Sequence, residues 1–143
     1  MPRIQLDFPA EKNFTCELTV RASDLNYGNH VGNDSILTIM QEARIQFYRG
    51  LGYHNELSFE GGIGHIVADA AVVYKSEAFL GDVLVIEVAL IDFNKYGFDM
   101  FYRLRNRETG KDVAIGKTGI VFFDYEKRKV ASIPPGFLGR VKR

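Results

Sequence analysis

Residues Arg21–Leu51, RASDLNYGNHVGNDSILTIMQEARIQFYRGL, decide the architecture of this chain. From Asn33 inward the apolar positions Ile36, Met40, Ala43, Phe47 and Leu51 step by four, three, four and four, which lays one stripe along an α-helix. Asn33, Asp34 and Ser35 stand before the stripe as capping side chains and early acids, and Gly50 and Gly52 stop it at the far end. The spacing predicts a helix over about residues 34–50 with one buried side. Ahead of it, Asp24-Leu25-Asn26-Tyr27-Gly28-Asn29-His30-Val31-Gly32-Asn33 holds two glycines and three asparagines, a composition that reads as a loop able to present side chains.

Outward from this stretch the chain reads as sheet. Residues 14–21 alternate well enough for a first strand, and residues 65–74, 83–92, 96–106 and 112–124 read as four more, separated by turn-forming residues. Leu84, Ile86, Val88 and Leu90 alternate with Val85, Glu87 and Ala89, the pattern of a half-buried strand. Glu108-Thr109-Gly110-Lys111 forms a hairpin turn, so the expected arrangement is a four-strand antiparallel meander after the helix. The connection from Tyr53 to Gly64 is rich in glycine and glutamate and can cross an edge or form a lid. Pro134-Pro135-Gly136 is expected to end the regular structure, with Arg140, Lys142 and Arg143 in a frayed tail. The plan is α+β: one long helix on one face of a curved antiparallel sheet of about five or six strands, in a single domain over residues 1–143.

Composition narrows the function classes. The 46% hydrophobic and 13% aromatic content is enough for a sizeable core. Lysine plus arginine and aspartate plus glutamate number eighteen each, so no overall field draws the chain to nucleic acid or to a membrane surface. The single cysteine, Cys16, reads as a small buried residue in a reducing compartment. With no basic-then-apolar leader and no apolar run near the length of a membrane span, the expected location is the cytoplasm. No metal-ligand spacing joins His30, His54 and His65, no Gly-x-x-x-x-Gly-Lys phosphate loop or Gly-x-Ser-x-Gly elbow is present, and no cofactor is expected.

The order strand, Asp24-Leu25-Asn26-x-Gly28-x-His30-Val31-Gly32-Asn33, helix with Glu42-Ala43-Arg44, then Gly81-Asp82 before a strand resembles the hotdog-fold acyl thioesterases. In particular it is similar to the 4-hydroxybenzoyl-CoA thioesterase-like superfamily, over about residues 12–137. The resemblance implies a homodimer or dimer of dimers, cofactor-free hydrolysis of an acyl-CoA or acyl-carrier-protein thioester, and a site at the subunit boundary. It also carries a departure. Many such enzymes place an aspartate, as base or nucleophile, where this chain has Asn26, and an amide can neither take a proton nor attack as a carboxylate does. Asn26 can still donate a hydrogen bond to the thioester oxygen or hold a water, provided a carboxylate elsewhere supplies the base.

Two carboxylates and a histidine are candidates for that gap. Asp69 lies in an otherwise apolar strand, where a carboxylate is costly unless paired or poised for chemistry. Glu42 projects off the apolar stripe, on the face with Ser35, Thr38, Gln46 and Arg49, and related families carry a working glutamate on this helix. His30 can move protons at neutral pH or simply order the loop. Asp24 and Arg21 are read as braces for the loop. For substrate binding the candidates are Asn33, the backbone N–H groups of Gly64, His65 and Ile66 as polarisers of a carbonyl, and Tyr74 and Lys75 against a coenzyme A phosphate. The reading is an acyl-thioester hydrolase. Its rivals are a non-catalytic acyl-thioester binding module, in which Asn26 marks a lost site, and a hotdog dehydratase.

Overall fold

The computed structural model describes residues 3–142. Strand β1 (Phe14–Thr19) leads through a single 3-10 turn (Ala22–Asp24) and the loop to helix α1 (Asn33–Gly50). Strands β2 (Ile63–Tyr74), β3 (Val83–Ile91), β4 (Gly97–Asn106), β5 (Asp112–Asp124) and the short β6 (Lys129–Val130) follow, and a second helix, α2 (Pro135–Val141), ends the described chain. The sheet runs β1-β3-β4-β5-β2 with β6 beside β5, and every pairing is antiparallel. One long helix against a curved six-stranded antiparallel sheet is the hotdog arrangement.

The stripe of α1 does what its spacing requires: Ile36, Met40, Ala43 and Phe47 are buried against Leu84, Ile86, Val88, Met100 and Leu104. Gly116 on β5 lets the helix come this close, because a Cβ there would run into the Met40 sulfur. Gly52, at φ 98°, takes the left-handed conformation just beyond the helix end. At the other end, the cap is Gly32 and no side chain bonds to the first turn, so Asn33 begins the helix and does not cap it.

Four expectations are corrected. The meander is three strands, β3-β4-β5, and β2 lies at the far edge beside β5, reached by the long connection after α1. Pro135 opens a helix instead of ending the structure, because a missing N–H costs nothing in a first turn. That helix drives Phe137, fully buried, against Tyr48, Phe59, Phe98 and Phe122. Arg140 is docked, not frayed: its Nη1 donates to the Leu51 carbonyl at 2.6 Å and its guanidinium stacks on Tyr53, while Arg143 lies outside the described residues. Finally, β3 is covered on both faces. Lys12 reaches Glu87 at 3.1 Å and Phe8 lies under Arg103, which itself pairs with Glu87, so the N-terminal segment crosses the face away from α1. No helix among the described residues is long and apolar enough to cross a membrane.

Candidate functional site

The loop before α1 is a small closed structure. Leu25 bridges Val31, the Asn26 N–H donates to the His30 carbonyl at 2.9 Å, and Asn29 takes a positive φ of 64° at its tip. Asp24 anchors the base of the loop. Its buried carboxylate accepts from the Arg21 backbone N–H at 2.8 Å and from the Arg21 guanidinium at 3.2 Å, and its carbonyl accepts from Gly32.

Within this frame the Asn26 amide has a fixed direction. Its Oδ1 accepts from the Gly28 N–H at 2.9 Å, which assigns oxygen and nitrogen. The Nδ2 group therefore points away from the Gly28 N–H and donates to no residue among the described residues. The same argument orients His30. Nδ1 stands 3.2 Å from the Val31 carbonyl, an acceptor, so Nδ1 carries the proton and Nε2 is left as an acceptor. A Cβ placed on Gly28 would lie 3.2 Å from Asn26 Oδ1 and 3.3 Å from His30 Nε2, so both side chains border one small space.

His30 and Asn33 also line a cavity of about 320 Å3 with Ile36, Tyr74, Lys75 and Val113. The Tyr74 hydroxyl donates to the Asn33 carbonyl at 3.0 Å, tying the end of β2 to the start of α1. The fold thus brings four candidate residues, His30, Asn33, Tyr74 and Lys75, around one opening.

Gly64, His65 and Ile66 lie at the other end of β2. The His65 N–H donates to the Glu56 carbonyl at 2.9 Å, so it is not free to polarise a substrate carbonyl, and the Glu56–Leu57 backbone packs on Gly64 closely enough to exclude a Cβ. The His65 ring is buried among Tyr48, Phe59 and Phe122.

Asp69 is not the unpaired carboxylate that its apolar neighbours suggest. Next to a register shift in β2, it accepts from Lys117 Nζ at 2.8 Å and from the Gly119 N–H at 2.9 Å, on the sheet face away from α1, with its side chain 63% exposed. The Lys117 hydrogen bond holds its carboxyl below the ordinary value. Glu42 is exposed and accepts from Gln46 at 3.3 Å. Its charge, after burial, helps push the Cys16 thiol up to about 11, which places Glu42 on the flank of α1 toward β1, not toward the cavity beside β2.

A polar cluster that the sequence did not reveal sits farther along α1. Arg44 is buried on the helix, with Nε 3.3 Å from Glu56 and Nη1 donating to the Tyr102 hydroxyl at 3.1 Å, and Tyr102 in turn is 2.7 Å from Thr118. His65 Nε2 lies 2.9 Å from the same Glu56 carboxylate in a bent contact. Burial pushes the Glu56 carboxyl up, but His65 and Arg44 together outweigh it and hold it below its ordinary value. Arg44, Tyr48, Arg49, Tyr53, His54 and Glu56 border a cavity of about 410 Å3. The only sequence signal for this cluster was a charge, Arg44, one turn from both Met40 and Tyr48 on the buried side.

Comparisons with known proteins agree with this architecture. The family description "Thioesterase-like superfamily" matches residues 20–141. A curated relative from Synechocystis sp., whose name carries the word esterase, is 26% identical over 132 residues, covering 92% of this chain and 80% of its own length. Among solved structures, a 1,4-dihydroxy-2-naphthoyl-CoA thioesterase from Synechocystis superposes with a TM-score of 0.82 at 21% identity, covering 90% of this chain and 95% of that one. A Staphylococcus aureus protein in complex with CoA superposes at 0.81 and 18% identity, covering 95% and 86%. A gentisyl-coenzyme A thioesterase does so at 0.78 and 18%, covering 90% and 99%. At these identities the solved structures share the fold, while the family match spans most of the chain. This chain belongs to the thioesterase-like superfamily.

Proposed function

We propose that the protein hydrolyses acyl thioesters, with acyl-CoA as the preferred carrier, at the loop between β1 and α1. The observation that carries this reading is the fixed Asn26 amide. Its Nδ2 group is a preorganised donor for a carbonyl oxygen that gains negative charge when the thioester is attacked, and such donors are worth most where they need not reorganise. Beside it, His30 Nε2 offers an acceptor to a water or to the leaving thiol, and Lys75 at the same cavity offers a cation to a phosphate. The similarity to a solved structure in complex with CoA supports the choice of carrier over acyl-carrier-protein.

The working unit in this reading is a cytoplasmic homodimer. Strand β2 ends the sheet with one edge unpaired, and its residues Ile66–Ala70 are exposed in succession, with Ile66 at 37% and Val67 at 43%. The 56–60 connection bonds the start of β2, and beyond His65 the unpaired edge with its apolar side chains is satisfied by another extended strand, which a second copy of β2 supplies by two-fold symmetry. Leu37, 42% exposed on α1, adds apolar surface.

The test is release of free thiol from a panel of short, long and aromatic acyl-CoAs and from acyl-carrier-protein. Turnover of acyl-CoAs above acyl-carrier-protein supports the proposal. Binding without thiol release on every substrate would favour the non-catalytic module, the reading that the missing carboxylate at position 26 invites.

A further inference from the structure

Hydrolysis needs a group to take a proton from water, and the carboxylate of the Asn26 loop, Asp24, is buried and held by Arg21. Asp69 is occupied by Lys117 on the far face of the sheet, and Glu42 lies on the β1 flank of α1. Glu56 remains. Its side chain is 22% exposed, it borders the larger cavity, and Arg44 and His65 hold it in place from the buried side.

Within one protomer Glu56 is too far from Asn26 to share a substrate atom. Arg44, its partner, lies eleven residues beyond Asn33, which is about 16 Å of helix. Along β2, His65 and Tyr74 are about 30 Å apart. Two-fold pairing of β2 with a second copy removes this distance. Antiparallel pairing along Ile66–Ala70 carries the Glu56 loop, which bonds the start of one strand, toward the Tyr74 end of the other, and continues the sheet so that both helices lie on the same face and run antiparallel. The Glu56 cavity of one protomer then opens beside the partner's His30 and Asn33.

We propose that Glu56 is a catalytic residue acting across the dimer, as the general base for water attacking a thioester held by the partner's Asn26 loop. This rests on the reading of the protein as a β2-paired thioesterase. The Glu56 carboxylate takes one proton from water as the water oxygen bonds to the acyl carbon, and the carbonyl electron pair moves onto an oxygen that accepts from the partner's Asn26. As the carbonyl re-forms, the C–S bond breaks, the sulfur leaves with the bonding pair, and the proton on Glu56 passes to it. The products are a carboxylic acid and a thiol. Arg44 and His65 are positioning residues that fix the carboxylate.

The experiment uses mixed dimers. Homodimers of Asn26→Ala and of Glu56→Gln should each lose about 10²-fold or more in kcat for thiol release from an acyl-CoA that the parent hydrolyses. A purified dimer with one copy of each keeps one intact composite site, and should return about half the parental rate. If the base acted within its own protomer, both sites of the mixed dimer would be damaged and it would stay inactive. That result, or parental kcat in Glu56→Gln, overturns the proposal. If Glu56→Gln fails to fold, Glu56→Asp keeps the charge that Arg44 requires but withdraws the carboxylate. It should lose about 10²-fold in kcat with little change in KM, and unchanged kcat would overturn the assignment. A parental protein with no turnover of any acyl-CoA would instead refute the underlying thioesterase reading.

Discussion

The Arg44 guanidinium donates to the Glu56 carboxylate across 3.3 Å and so ties the middle of α1 to the loop that leads into β2. Because Arg44 is buried and also donates to Tyr102, removing it leaves the Glu56 carboxylate with His65 alone and takes a donor from the Tyr102 hydroxyl in the interior. Arg44→Met is expected to destabilise the fold by about 3–5 kcal/mol, the cost of breaking rather than replacing a buried pair. Denaturant unfolding checks this, and a parental midpoint would show that the pair is dispensable.

The same cluster sets the acid sensitivity of the protein. Burial holds the His65 ring below its ordinary value of 6.5, with Glu56 offsetting only part of that. The unfolded chain thus takes up a proton near that pH that the folded chain resists, so stability is complete above it and declines as the pH falls below it. Glu56, held below its ordinary 4.5, adds a second loss as the pH falls through and beneath that value. Urea midpoints should fall from pH 7.5 to pH 5, and His65→Phe should flatten this upper part of the profile.

The close approach of β5 to α1 gives a packing prediction. Gly116→Ala drives a methyl group into the Met40 sulfur and should cost about 1–3 kcal/mol, measured by thermal or denaturant unfolding. A variant as stable as the parent would mean that the helix can shift away without loss.

Much of this fold was legible because its signals are local. The apolar stripe located α1 to within a residue, and the β3, β4 and β5 strands lie close to their expected limits. The position of β2 was not legible, since its partner β5 is far along the chain and alternation does not say which edge a strand joins. Helix α2 was hidden by its own opening residues: prolines that read as a stop also suit a first turn, and only the packing of Phe137 decides between the two. In the site, the loop residues Asn26 and His30 stood out by their company, whereas Glu56 lies in a connection with no pattern. Its partners Arg44 and His65 are brought to it only by the tertiary fold.

The edge of β2 predicts an association that can be broken from one position. The parent should scatter light as a dimer or larger at micromolar concentration, and Val67→Lys, at an exposed apolar position on the unpaired edge, should shift it toward monomer. A monomeric parent would remove the dimer and the composite site together.

In the proposed reaction Asn26 donates to a thioester that is hydrolysed, and thiol release from acyl-CoA tests this most directly. The parental protein should release thiol from at least one class of acyl-CoA. Asn26→Ala should lower kcat by about 10²–10³, and Asn26→Asp, which exchanges that donor for an acceptor, should not restore it. Parental rates in Asn26→Ala, or a gain of activity in Asn26→Asp, would contradict the account.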